Sequence, residues 1–379
     1  MKNITETLKR IFLRKRTLLL LLAIVGEICL KIAGNNSYFA EVVFARHIFR
    51  WLSLGISGIT RIFPFSVAEV MIILAPITVI ALIAGFIVKV VKNRKDILYY
   101  IMTFLLNAAC MASVVWFFYC FGCGINYYRY PVGDHFGYET RDASKEELAA
   151  LLEELSVQTA EAREQVTSFN EKGVYVIPDS PRALAKKAKE AYKKFSEADP
   201  FFSGAYPAPK CVMLSHLMSY TEFTGIYTCW TMEANVNVDN PGYSLGSTMC
   251  HELAHLQGFI REDEANFISY MVCTASDDPD LRYSGLMMAF VYTHNALMGE
   301  DPELCTKAEL ACADSDMWLD FAANSEYWDQ FKKAKVIAEV ADKMNDTYLK
   351  ANDQEDGVKS YGRVVDLLIA KYRKDHHLE

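Results

Sequence analysis

The sequence predicts a mostly helical α+β domain preceded by an all-α membrane anchor of three transmembrane helices. Three observations carry this. Apolar stretches at about 17–34, 68–90 and 97–121 are each long enough to cross a hydrocarbon core of about 30 Å. Charge divides the 379-residue chain at the same place: residues 1–122 hold 14 Lys/Arg against 5 Asp/Glu, and the rest holds 25 against 42. Beyond residue 122 the pattern turns to helical periodicity, interrupted by one β-branched and aromatic block. The expected division is an anchor over 1–122 and an extracytoplasmic domain over 123–379. The acidic surface of that domain argues against a nucleic-acid partner, because phosphate binding needs clustered positive charge.

The first span, "TLLLLLAIVGEICLKIAG", follows the basic stretch "KRIFLRKR". No small-x-small cleavage site follows it, so it reads as an anchor rather than a signal peptide. Glu27 and Lys31 interrupt the apolar run but sit four apart, where they can pair on one helical face. The second span has no charge over residues 70–88 and tolerates Pro76 as a kink. The third carries aromatics at both ends, as an interfacial belt would. Six Lys/Arg precede the first span and "KVVKNRK" joins the second to the third, so both belong in the cytoplasm by the positive-inside rule. Everything after about residue 123 then lies outside. The loop 35–66 reads as an amphipathic helix lying on the outer surface. Seven of the ten cysteines fall in the outer region, an odd number whose pairing cannot be read from spacing.

In the outer domain, Leu148, Leu151, Leu152 and Leu155 recur at helical spacing and predict a helix over 143–166. A second, over 181–196, starts at Pro181 and is rich in Ala and Lys, so it is expected to be mostly solvated. "KCVMLSHLMSY" and "GIYTCWTMEANVNVD" read as strands. Helices follow at about 261–274, 283–298, 302–311, 315–348 in pieces, and 358–373.

The chemistry concentrates in "TMCHELAHLQGFIREDEANFISYMVC". On a helix, His251 and His255 are one turn apart and face the same way, so both imidazoles can reach one ion. Glu252 can face a metal-bound water whose pKa zinc brings near neutrality, and act as its general base. If Gly258 turns the chain, a second helix begins at once and packs through Ala265, Phe267, Ile268, Met271 and Val272. Its polar side carries Glu262, Asn266 and Ser269. Glu262 is then the preferred third ligand, with Glu264 the alternative. Asn266 would hydrogen-bond a ligand histidine from behind. Asp263 and Glu264 otherwise read as a solvated face at a helix N-terminus. An oxyanion donor is also expected, with Tyr283 the candidate and His294 and Tyr361 behind it.

"HELAH" followed by "EDEANFIS" resembles the zincin metallopeptidases, of gluzincin type. In the repressor-cleaving kind the third ligand lies in an E-x-x-A-[DN] string, which Glu262, Ala265 and Asn266 match. The departure is spacing, since those proteins separate the two motifs by many residues and here Glu262 follows His255 by seven. "HELAHLQGFIR" also approaches the metzincin string, but Arg261 stands where its third histidine would be. The whole chain resembles a bacterial family known as domain of unknown function 3810, through "TGIYTCWTMEANVN", "CHELAHLQGFIREDEANF", "RYSG" and "NDTYLKANDQEDGVKSYGRVVDLL". That resemblance implies a multi-pass protein of the bacterial cell membrane with a zincin-like domain. Zincins run a sheet edge along the bound peptide, and residues 227–239 are placed to be that strand.

The expected function is a membrane-anchored zinc metallopeptidase with Zn2+ as cofactor and a protein or peptide as substrate. The alternatives are a zinc hydrolase of cell-wall or other amide bonds, and a catalytically silent zinc-stabilised binding or sensor domain. A purely structural site would need no Glu252, and few intramembrane charges leave little basis for a transport path.

Overall fold

The structure, a computed structural model, describes residues 15–332, 335–352, 354 and 362–378. Tyr361 and much of the basic N-terminal stretch lie outside the described residues. The chain forms two units, one of residues 1–49, 67–129 and 229–231, the other of 50–66, 130–228 and 232–379. Taken in chain order, its first helices are α1 (Leu20–Gly34), α2 (Arg50–Thr60), α3 (Val67–Lys92) and α4 (Ile97–Gly122).

The first unit is built on α1, α3 and α4. With the short turns that flank them, these form three helices long and apolar enough to cross a membrane, Lys15–Gly34, Val67–Lys92 and Arg94–Tyr128. That is compatible with membrane association. Pro76 is carried inside an uninterrupted α3, and Glu27 and Lys31 do pair, at 3.4 Å. α1 and α4 pack together, with the Ser113 hydroxyl of α4 donating to the Leu19 carbonyl at 2.8 Å. Glu41 is buried and ion-paired with Arg129 at 2.7 Å and Arg46 at 3.1 Å.

The expected amphipathic helix over 35–66 divides into a π-helical segment, Phe39–Phe49, in the first unit and α2 in the second. α2 turns its small polar side inward. Ser53, Ser57 and Thr60 are buried while Trp51 and Ile59 are exposed.

The second unit is mostly helical with a small sheet. α5 (Lys145–Gln165) opens on a capping box, in which Ser144 and Glu147 satisfy each other's backbone N–H groups, and it buries the four leucines that predicted it. α6 (Pro181–Ala198) is less solvated than its composition implied, because Leu184, Ala185, Ala188 and Tyr192 line one buried face. The sheet has the order β1 (Lys210–Cys211), β3 (Glu233–Val236), β2 (Gly225–Thr228), with β1–β3 parallel and β2–β3 antiparallel. "KCVMLSHLMSY" is thus strand only in its first two residues. Met213, Leu214 and Leu217 are exposed, and Ser215 and Ser219 return their hydroxyls to local carbonyls in a short helical turn.

The remaining helices follow as expected, with shifted ends. They are α7 (Gly242–Leu256), α8 (Glu262–Thr274), α9 (Pro279–Glu300), α10 (Pro302–Ala308), α11 (Met317–Asp329), α12 (Lys335–Lys350) and α13 (Val364–Asp375). α9 starts four residues early because Asp278 caps it, accepting from the Asp280 and Leu281 amides, with Pro279 in the first turn. α7, α8 and α9 pack on one another and α5 covers α9. A buried carboxylate ties this core together: Asp320 of α11 accepts from Arg163 at 2.7 Å, the Tyr175 amide at 2.6 Å and the Tyr283 hydroxyl at 2.5 Å.

Candidate metal centre

α7 ends in a Schellman turn. Gly258 has φ of +85°, its amide reaches the His255 carbonyl at 2.9 Å, and the Phe259 amide reaches the Ala254 carbonyl at 3.1 Å. A left-handed residue is needed there, which glycine supplies without steric cost. The turn does two things for the site. It delivers the Phe259 carbonyl to His255 Nδ1 at 2.8 Å, and it starts α8 at Glu262, whose first turn comes back against α7.

The result is a convergence of three donor atoms. Glu262 Oε2 lies 3.2 Å from His251 Nε2 and 3.4 Å from His255 Nε2. Tetrahedral zinc with nitrogen and oxygen ligands at about 2.0–2.2 Å sets such atoms about 3.4 Å apart, so these separations fit. Without an ion the contacts are ion pairs rather than well-aligned hydrogen bonds. Glu262 Oε2 is buried with no partner of hydrogen-bond geometry, as expected where lone pairs aim at a shared point beside it. The back nitrogens are both occupied by carbonyl acceptors. His251 Nδ1 donates to Asn266 Oδ1 at 2.8 Å and His255 Nδ1 to the Phe259 carbonyl. Each ring therefore keeps a proton on Nδ1, so Nε2 is the nitrogen left to meet an ion, and any proton it carries beside Glu262 would leave on binding, the arrangement that ligand histidines need. The donor set suits zinc.

Charge is tightly coupled here. Burial works against ionisation of Glu262, but His255 and His251 outweigh it and hold the carboxyl well below its usual range. Burial likewise disfavours a charged His255, yet Glu262 raises it to about 9, whereas burial and its neighbour His255 push His251 down. Glu252, one position along from His251, is only 3% exposed, and its Oε2 has no hydrogen-bond partner. Burial raises it to about 8, His255 opposes this and Glu262 adds to it.

Glu264 is not part of the convergence and is not solvated. It is buried, accepts from the Val132 amide at 2.8 Å and pairs with Arg261 at 2.7 Å. Asp263 is half-buried, and desolvation pushes it up to about 6, with Glu264 adding to the effect. Tyr283 is not brought to the site. It is fully buried with its hydroxyl on Asp320, where no bound molecule could meet it. His294 lies with Cys305 and Glu309 in a separate cluster.

Sequence reasoning missed two neighbours of the centre. Tyr292 of α9 takes a hydrogen bond from Asn266 Nδ2 at 3.4 Å, and burial, countered by that bond, raises its hydroxyl to about 12, with Glu262 contributing. Gly225 of β2 lies against Glu252, since a Cβ there would come within 2.3 Å of Glu252 Oε1. The expected edge strand 227–239 needs correction. Residues 229–232 are a hairpin loop, with Met232 at φ of +49°, and β3 is paired on both sides. The sheet edge bordering the centre is β2, with Gly225 on Glu252 and the Tyr227 ring 6.2 Å from that of His255.

Three long apolar helices, and a mostly helical unit in which His251, His255 and Glu262 converge as a group that could hold a metal ion, define a helical protein compatible with membrane association. More particularly, the chain belongs to the family described as protein of unknown function DUF3810, whose model matches residues 44–369. No curated protein and no solved structure matches it.

Proposed function

We propose that this protein is a membrane-anchored zinc metallopeptidase of zincin-like, gluzincin type. The observation that carries the reading is the convergence of His251 Nε2, His255 Nε2 and Glu262 Oε2 beside a buried carboxylate, Glu252, with an unpartnered oxygen. The two histidines and Glu262 would hold the ion, which when bound supplies Lewis acidity and a more acidic water. Glu252, whose ionised form the charge of a bound cation would favour, takes the proton of the attacking water at its Oε2 and passes it to the leaving amine. Asn266 and the Phe259 carbonyl keep the imidazoles from rotating or changing tautomer. β2, as the sheet edge beside Glu252, is suited to hold an extended peptide by main-chain pairing, and this favours a peptide over a cell-wall or other amide. The basic residues around positions 2–16 and 89–95 support a cytoplasmic N-terminus, a multi-pass anchor in the bacterial membrane and an extracytoplasmic centre.

The test is metal content together with proteome-wide comparison of cleaved termini. His251→Ala and Glu262→Ala should lose zinc. Glu252→Gln should keep it and lose every protein terminus that depends on the wild type. Undiminished cleavage in Glu252→Gln would remove the peptidase reading, and full zinc in Glu262→Ala would remove the ligand assignment.

A further inference from the structure

A second group of potential ligands lies behind α9. Asp301 ends α9 and caps α10, accepting from the Leu304 amide at 3.1 Å, and the reversal sets Cys305 beside His294. The 3-10 turn Glu309–Cys312 continues α10 and places Glu309 four residues after Cys305, on the same side. Cys305 Sγ is 3.7 Å from His294 Nδ1 and 3.3 Å from Glu309 Oε1, and His294 Nδ1 also contacts Glu309 Oε1. All three donor atoms lie within 4.8 Å of one another. Zinc bonds of about 2.3 Å to sulfur and 2.0–2.2 Å to nitrogen or oxygen would set the sulfur edges of a tetrahedron at about 3.6 Å.

We infer that His294, Cys305 and Glu309 form a second metal site, for zinc or another thiophilic divalent cation, separate from the His251–His255–Glu262 centre. A Cys–His–acid catalytic relay has these residue types but needs them in series, with thiol and carboxylate on opposite ring nitrogens. Here both meet the same nitrogen, Nδ1, and the thiol also meets Glu309 Oε1, so the three donors form a closed triangle whose hydrogen bonds an ion at its centre would replace as the carboxylate draws back from Nδ1. Cys305 is also fully buried, out of reach of any substrate. The surroundings suit a structural ion: the rings of Phe290, Trp318 and Phe321 pack around His294 and exclude water from one side. On binding, the Cys305 thiol gives its proton to solvent and ligates as thiolate. The ion would clamp α10 and its following turn to α9. Tyr292 and His294 are two positions apart on α9, about 200° around the helix, so the clamp secures the back of the helix whose front borders the first centre.

Cobalt(II) tests this in the full-length, detergent-solubilised protein after chelator treatment. The first centre has no sulfur ligand, so a near-ultraviolet thiolate-to-cobalt charge-transfer band reports the second alone. The band should appear in the wild type, persist in His251→Ala/His255→Ala, disappear in Cys305→Ser and weaken at least about tenfold in apparent affinity in Glu309→Gln. Glu309 is partly exposed, which keeps that variant informative if Cys305→Ser fails to fold. A wild type that is helical by circular dichroism yet shows no thiolate band overturns the inference. So does a band unchanged in both Cys305→Ser and Glu309→Gln. Neither result bears on the peptidase reading, whose readouts are cleavage and zinc at His251.

Discussion

At the scale of single residues, the centre depends on what stands behind each functional atom. Glu252 illustrates this through a residue with no side chain. Its carboxylate occupies the space that a Cβ on Gly225 would need, at 2.3 Å from Oε1, so Gly225→Ala must displace the proposed general base, and it touches none of the three proposed ligands directly. Displacements of about 1 Å at a reacting group cost on the order of 10²-fold in rate. The expected outcome is a loss of about that size in kcat with unchanged zinc content, measured on any substrate recovered by the terminus comparison. A loss of zinc would show instead that Gly225 supports the ligands. His251, Glu252, His255, Glu262 and Asn266 could be read from the sequence because they lie in two adjacent helical turns, where spacing fixes direction. Gly225, Tyr292 and the Phe259 carbonyl could not be. The first two arrive from other elements, and the third is backbone that carries no residue signature. Tyr283 misled for a related reason: a tyrosine near a motif in sequence looks available, and only packing against Asp320 reveals that its hydroxyl is committed to the core.

At the scale of elements, the short gap between "HELAH" and "EDEAN" is explained by the turn between them. A Schellman cap reverses the chain in few residues, so Glu262 returns to the histidines after only seven positions. The same turn aims the Phe259 carbonyl at His255, so helix termination and orientation of the His255 ring are one event. Gly258→Ala would place a Cβ at φ of +85°, a strain of about 1–2 kcal/mol. It should lower the denaturation free energy by about that amount and weaken zinc about 10–100-fold through the lost acceptor. Chelator competition and urea titration measure the two separately, and stability loss with unchanged zinc affinity would detach the cap from the centre. The helices were legible from periodicity, with ends moved where a cap such as Asp278 outranked the apolar pattern or where the last turn tightened, as after Ala308. The sheet was not, because its strands are two to four residues long and period-two alternation needs more than that to register.

At the scale of the whole molecule, two predictions concern how the chain is closed and where it stands. Arg373 of α13, almost fully buried, grips Glu147 at the start of α5 with bonds of 2.7 and 2.8 Å. The Arg373 bonds, with the Ser144 amide and Arg141 assisting against burial, bring Glu147 from an ordinary 4.5 to about 2. A depressed carboxylate contributes stability that is complete above its unfolded pKa and is lost as pH falls from about 4.5 through about 2. Glu147→Gln should therefore be less stable at pH 7 and show a shallower fall in urea midpoint between pH 5 and pH 3. An equally steep fall would assign the acid sensitivity to other carboxylates. Placement is the larger question, and it turns on charge rather than packing. Three spans with basic residues before the first and between the second and third put the acidic second unit outside if the positive-inside rule governs. Arg46, Arg50 and Arg61 in the loop between the first two spans oppose that bias with three charges, against six before the first span. A cysteine tag at the C-terminus should accordingly react with a membrane-impermeant maleimide on intact cells. Labelling only after lysis would reverse the orientation, place the centre in the cytoplasm and change the substrates it could meet. A cytoplasmic centre would also put Cys211, Cys250, Cys273, Cys305 and Cys312 of the second unit, none of them in a disulfide, in a reducing compartment. The orientation then decides whether Cys305 must be protected from oxidation, which ligation to a metal would provide.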